Sequence, residues 1–410
     1  MPLMNRRRWL QQASAASLPL IFSQNAFTKP RQPLPVAAIV TEYTPNSHAD
    51  VLVGKILEGF RQQGGPGPDL KLAALCTDQV PERDISRRLS RKYGFPITKS
   101  ISEALTLGTN QIQVAGVLSI GEHGDYPFTP DTHQHMYPRK QFFDEIVATF
   151  KKYGKTVPVY NDKHLGYRWQ DAKAMYDISQ AMGFPLMAGS SLPVAWRKPD
   201  LSLPENCEIE AVLTVGRGNF EAHGFHSLEA QQCLIEQRKG PKGVTAVETA
   251  QGQQIWEAER AGKWDREMLE AALEVMPNVA KGEWEEILKD DSAFFFLEHQ
   301  DGLKSTVAIA NRLSRHYAVA VKLKGEAKPR ATWVKLELEP PFGHFEYLLK
   351  AIEHMVHTGE PPYPVERTLL TTGILDTVMH SLAADGKRIE TPQLAIDYKP
   401  VRWPYAKQKS

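Results

Sequence analysis

The chain is 410 residues long, with 42% apolar residues, 24% charged residues and a formal net charge of +1. Such a length allows about two domains, each with its own core, and a near-neutral balance excludes nucleic acid as a partner because it offers no cationic footprint for a polyanion. The three cysteines, at 76, 207 and 233, are too scattered for a disulfide framework or a thiolate metal site, although one pair stays open if the protein is exported.

The N-terminus argues for export. Arg6-Arg7-Arg8-Trp9-Leu10, followed by the mild apolar stretch AASLPLIF, reads as a twin-arginine signal over residues 1–30, with cleavage near Ala26. That stretch is too short to span a membrane stably, and no later run is long and apolar enough for a transmembrane helix. The expectation is a periplasmic or extracellular protein exported in folded form.

After a Pro-rich link, residues 36–40 read as a strand and 48–63 as a helix with Val51, Ile56, Leu57 and Phe60 on one face. Residues 70–76 form a second strand ending in Thr77-Asp78; 85–93 and 101–107 read as helices. The apolar run QVAGVL precedes the stretch at 119–139, where Glu122, His123, Asp125, Asp131, His133 and His135 crowd into a Gly/Pro-broken loop. Ionisable groups at a strand's carboxyl end lie where open α/β sheets bind ligands. A helix at 140–153, a strand at 157–160 leading into Asn161-Asp162-Lys163-His164, a helix at 169–182 and the strand PLMAGS complete a strand-helix alternation. It predicts a doubly wound parallel, Rossmann-like sheet over 34–195.

From residue 205 the strand signals run consecutively, as EIEAVLTVG, GVTAVETA, SAFFFLEH, STVAIAN, YAVAVKL and ATWVKLEL, with helices at 227–238 and 266–275. This predicts an α+β domain over 205–385 with a largely antiparallel sheet, closed by helices at 345–357 and 365–381 and followed by a tail over 386–410.

Several segments carry a resemblance: Cys76-Thr77-Asp78 with Pro81-Glu82-Arg83, RKYGFP leading to SISEAL, VYNDKHL, GFHSLEA and the closing VERTLLTTGILDTVMHS. In order and spacing they resemble the glucose-fructose oxidoreductase and inositol dehydrogenase family (Gfo/Idh/MocA) over nearly the whole mature chain. The resemblance implies an oxidoreductase acting on a carbohydrate or polyol with NAD(P), and a homo-oligomer built through the second-domain sheet. It places Lys163, beside Asp162, at the substrate hydroxyl and makes His226 the proton carrier, with cofactor contacts at Asp78, Thr41 and Glu122.

The chain departs from that pattern. The glycine-rich turn after the first strand is replaced by Thr41-Glu42-Tyr43-Thr44-Pro45-Asn46-Ser47, and the acid expected before the catalytic His is Ala222. Six of the 13 histidines lie between 123 and 226. A second reading is therefore a metal-dependent lyase or hydrolase without NAD(P), holding Zn or Mn through His123, Asp125, His133, His135 and His223. A third is a sugar-binding relic without catalysis. Gly216-Arg217-Gly218 reads as a turn, Phe294 to Phe296 as core, and Trp256, Trp264 and Trp284 as packing, with sugar stacking as their functional alternative.

Overall fold

A computed structural model describes residues 32–407; the twin-arginine segment lies outside the described residues. The first sheet is built from β1 (Leu34–Val40), β2 (Leu70–Thr77), β3 (Ile97–Thr98), β4 (Gly116–Ile120), β5 (Val159–Asp162) and β6 (Leu186–Gly189). Its order is β3-β2-β1-β4-β5-β6, and every pairing is parallel. Parallel strands need crossovers, supplied here by α1 (His48–Glu58), α2 (Ser86–Tyr93), α3 (Ile101–Thr106), α4 (Arg139–Tyr153) and α5 (Trp169–Met182). Helices α4 and α5 stop where expected, at Gly154 and Gly183, whose φ of 65° suits the left-handed terminating residue. The strand order reverses between β1 and β4, which opens a crevice at their carboxyl ends.

The second sheet comprises β7 (Trp196–Lys198), β8 (Ile209–Gly216), β9 (Val244–Gln251), β10 (Ala293–His299), β11 (Lys304–Ile309), β12 (Tyr317–Leu323), β13 (Arg330–Lys335) and β14 (Ile389–Glu390). In the order β14-β9-β10-β11-β8-β12-β13-β7, only the β11–β8 pair is parallel. The expected α/β class with a largely antiparallel second sheet is therefore what the chain forms. Side chains alternate across this sheet: Phe294 and Phe296 pack with Trp256, Trp264 and Met268, whereas Phe295 faces Phe225, Leu370 and Ile374. All three phenylalanines and both tryptophans are core, so none is free to stack on a sugar.

Helices α6 (Ala222–Ile235), α7 (Gln254–Arg260), α8 (Arg266–Glu274), α9 (Trp284–Ile287), α10 (His344–Thr358) and α11 (Glu366–Ala383) complete the chain. The apolar residues of α7 and α8 cover one face of the second sheet and those of α6 and α11 the other. Both faces of the second sheet thus carry helices of the chain itself. Helix α10 returns to the first sheet, where Phe345, Leu348, Leu349 and Ile352 pack with Val36, Val40 and Val53. The carboxyl ends of the first sheet are thereby brought against the second.

Helix α6 starts five residues earlier than the pattern suggested, because the Asn219 side-chain oxygen accepts from the backbone N–H of Ala222 (2.7 Å) and His223 (3.2 Å). His223 and His226 therefore lie on the first turns of a helix. The end of β6 is tied to the same helix: Glu229 accepts from Ser190 N–H (2.6 Å) and from the Thr368 hydroxyl (2.9 Å).

Candidate active site

A cleft of about 220 Å³ lies where the two sheets meet. The first sheet contributes His48 at the start of α1, His123 after β4, Asp162 at the end of β5 and Ser190 and Ser191 after β6. The second contributes Arg217 after β8, His223 and His226 from α6, and Tyr317 from β12. His344 and Phe345 close the rim from α10.

Behind the cleft is a buried ion cluster. The Lys163 ammonium donates to Glu122 Oε1 at 2.7 Å, Arg139 donates to Glu122 Oε2, and Arg139 also meets His164 Nε2 at 3.0 Å. Burial alone would raise the Glu122 carboxyl, but the charges of Lys163 and Arg139 outweigh it and hold it well below the usual range. Lys163 sits at a φ of 61°, pinned by reciprocal backbone hydrogen bonds with Gly189 at 3.1 Å. Its charge is therefore placed beneath the cleft, one layer from a ligand.

His48 Nδ1 lies 2.6 Å from Asp162 Oδ2, and the Tyr160 hydroxyl donates to Asp162 Oδ1 at 3.1 Å. An ionised carboxylate only accepts, so Nδ1 carries a hydrogen; in the neutral ring Nε2 then has the lone pair. The other rings are desolvated. Burial pushes His123 and His223 down to about 4 and His344 to about 3, and holds His226 well below its ordinary value. Five buried nitrogens around this one cleft lack a hydrogen-bond partner among the described residues: His123 Nε2, Arg217 Nε, His223 Nδ1, His226 Nδ1 and His344 Nδ1. Buried polar groups are normally satisfied, so this concentration marks a place built for a polar ligand.

Of the residues singled out from the sequence, Asp162, His226, His123 and His223 line the cleft, and Lys163 and Glu122 lie directly beneath it. The five-ligand metal set does not assemble. His133 is exposed, His135 is stacked between Phe128 and Tyr137 with Nε2 at 3.0 Å from the Tyr126 carbonyl, and Asp125 is tied through its backbone to the Gln79 side chain. Among the described residues, no group of three or more His, Cys, Asp or Glu is placed to hold a metal ion. The three cysteines are unpaired.

The residues expected to touch a dinucleotide are engaged by the chain itself. Thr41 Oγ1 donates to the Glu122 carbonyl at 2.6 Å, and Asp78 accepts the Tyr126 hydroxyl. Gln79 and Asp125 exchange hydrogen bonds of 2.8 and 2.9 Å. Gly124, at φ 98°, lets this loop fold down; a Cβ there would come 2.8 Å from the Tyr126 ring. The turn that would face the pyrophosphate carries the Glu42 carboxylate and no glycine. The expected cofactor contacts Thr41 and Asp78 are thus partnered within the chain, and the turn offers no glycine for close approach of a pyrophosphate.

Sequence reasoning missed His48, Arg217, Tyr317 and His344. His48 and Arg217 do follow strand ends, so the strand-end rule reaches them, although Gly216-Arg217-Gly218 by itself reads as a turn. Tyr317 and His344 carry no such signal.

No protein-family profile and no curated protein matches the sequence. Solved structures do match in fold. GenD2 from gentamicin A biosynthesis, solved in complex with NAD, is 15% identical with a TM-score of 0.54 over 88% of this chain and 97% of its own. A probable dehydrogenase from Thermotoga maritima is 13% identical (TM-score 0.53, 88% and 100%), and myo-inositol 2-dehydrogenase from Lactobacillus plantarum is 12% identical (TM-score 0.52, 88% and 99%). The chain shares the two-domain fold of these dehydrogenases.

Proposed function

We propose that this chain is a Gfo/Idh/MocA-type enzyme that acts on a small carbohydrate or polyol by moving a hydroxyl proton in the cleft between its two sheets. The observation that carries the reading is the convergence of five unpartnered buried nitrogens on a cleft that also holds the His48–Asp162 pair. A polyol offers several hydroxyls, each able to donate and accept, and neutral imidazoles can take either role. Below the roughly 300–1,000 Å³ of drug-sized sites, the cleft suits a monosaccharide-sized ligand.

In this reading the substrate hydroxyl gives its proton to His48 Nε2, and the Asp162 carboxylate stabilises the imidazolium that forms. His226 and His223, kept neutral by burial, hold neighbouring hydroxyls. Lys163 acts from beneath through its charge, which favours the deprotonated oxygen. The finer form of the reading is an oxidoreductase, as the solved relatives of the fold are. A bound nicotinamide would supply the hydride acceptor for the carbon whose hydroxyl gives up its proton, so turnover requires it. Export by the twin-arginine route rests on the N-terminal residues alone.

The test is titration of the full chain with polyols and aldoses, following the histidine ring 15N signals, with turnover read by 13C NMR with and without added NAD⁺ or NADP⁺. Ligand-dependent shifts of the cleft rings and a turnover abolished by His48→Ala are expected. Rings that respond to no polyol or sugar, or a turnover indifferent to His48→Ala, would overturn the reading.

A further inference from the structure

We propose that the ligand of this cleft carries a carboxylate gripped by Arg217, so that the substrate class is a sugar acid and not a neutral polyol. The inference rests on the polyol reading of the cleft and adds one charged group to it.

Arg217 stands apart from the enclosed cations held within the chain; Lys55 and Lys242 have no carboxylate either among the described residues, but each ammonium donates to amide or carbonyl oxygens, Gln62 and Pro341 for the first and Arg238 and Gly240 for the second. Arg139 and Lys163 share Glu122, Arg238 pairs with Asp301 at 2.6 Å, and Arg367 pairs with Glu236. Arg217 has no carboxylate partner among the described residues, and its Nε is buried without a hydrogen bond. The enclosed Nε lacks an acceptor that a ligand oxygen would supply, and the half-buried guanidinium has no counter-ion of its own among the described residues.

Its position is prepared. The turn that carries it is pinned at Gly218, whose N–H donates to Asn311 Oδ1 (2.7 Å) and whose carbonyl accepts from Asn311 Nδ2 (3.1 Å). Gly218, at φ 88°, lies under the His223 ring, where a Cβ would come within 2.5 Å. The guanidinium lies 5.9 Å from the centroid of the buried Tyr317 ring. That places a planar donor fork on an apolar floor, a geometry suited to a carboxylate.

The surrounding charge agrees. The one acid lining the cleft, Asp162, is engaged by His48 and Tyr160, and Glu122 is shared by two cations. Glu221, nearby, is pushed up to about 7 by burial, so it adds no full negative charge at neutral pH. Counting Arg217, Lys163 and Arg139 against Asp162 and Glu122 leaves one positive charge unmatched. The polyol end of the ligand then meets the histidines and the carboxylate end meets Arg217.

The experiment compares near-isosteric pairs, D-gluconate with D-glucitol and D-glucuronate with D-glucose, by calorimetry and by the histidine ring signals of the full chain. The wild type should bind each acid about tenfold or more tightly than its neutral partner, and Arg217→Gln should bring the two within a few-fold. Arg217→Lys, which keeps the charge without the fork, should keep the preference at reduced size, and it serves as the second probe if Arg217→Gln does not fold. Equal binding of acid and neutral partner by the wild type, or a preference that survives Arg217→Gln, overturns the role of Arg217 and leaves the polyol reading standing. Rings that respond to none of the four ligands overturn both.

Discussion

Glu122 is where a single substitution separates a buried electrostatic frame from a reacting group. Its carboxylate is 5% exposed, as is Lys163, and Arg139 is fully buried. Glu122→Gln preserves shape but leaves two cations facing a neutral amide in a desolvated site. Breaking a buried pair by removing one partner typically costs about 3–5 kcal/mol, and here two pairs share the removed charge. Lys163→Met is milder, because Glu122 keeps Arg139; on the order of 1–3 kcal/mol is expected, the usual cost of leaving one buried hydrogen-bonding group short of a partner. At about 2.1 cal/mol/K of unfolding entropy per residue, each kcal/mol moves the melting temperature of a chain this size by a little over 1 °C. Glu122→Gln should therefore melt roughly 4–6 °C lower by differential scanning calorimetry. Lys163→Met should move less yet reduce turnover at temperatures where it stays folded. A Glu122→Gln shift below about 1 °C, or a larger shift for Lys163→Met, would refute the shared cluster.

Two further outcomes follow from the same geometry. Tyr126→Ala frees the Asp78 carboxylate and loosens the loop over the crevice, so the variant should bind NAD⁺ more tightly than the wild type by calorimetry; equal affinities would show that the loop does not compete with a dinucleotide. His223 titrates at about 4 when folded against about 6.5 unfolded, so between these values the unfolded chain binds the extra proton, and the stability this ring contributes is lost as pH falls through that window. Urea midpoints at pH 7, 6 and 5 should fall less steeply for His223→Gln than for the wild type, by up to about 1.4 kcal/mol per pH unit, and identical slopes would show that the ring is not desolvated.

The first sheet was legible because its signals are local. Apolar runs such as those before Thr41 and Glu122, and glycines such as Gly154 and Gly183, mark strands and helix ends within a few residues. The second sheet was legible strand by strand but not in order: nothing in the runs around Val215 and Val307 says that β8 pairs β11 in parallel. Strand pairing between segments about 90 residues apart is chosen by which faces bury together, and many orders satisfy the same alternation. The return of α10 to the first sheet was invisible for the same reason.

The structure puts in one cleft Asp162 and His226, which the family resemblance singled out, His223, which the density of histidines singled out, and His123, which came from the strand-end rule. That rule could not say that His133 and His135, equally close in sequence, point away, because a residue's distance from a strand end does not set the direction of its side chain in a loop.

By itself the sequence determined the alternation of elements, the class of both sheets and the stretch where ionisable groups gather, since periodicity and turn chemistry act over a few residues. Only the tertiary structure decided which charges cancel. Glu122 meets Arg139 and Lys163 across 17 and 41 positions, while Arg217 meets no carboxylate among the described residues. A buried charge is defined by what lies within a few ångströms of it, and those neighbours come from parts of the chain that nothing local connects.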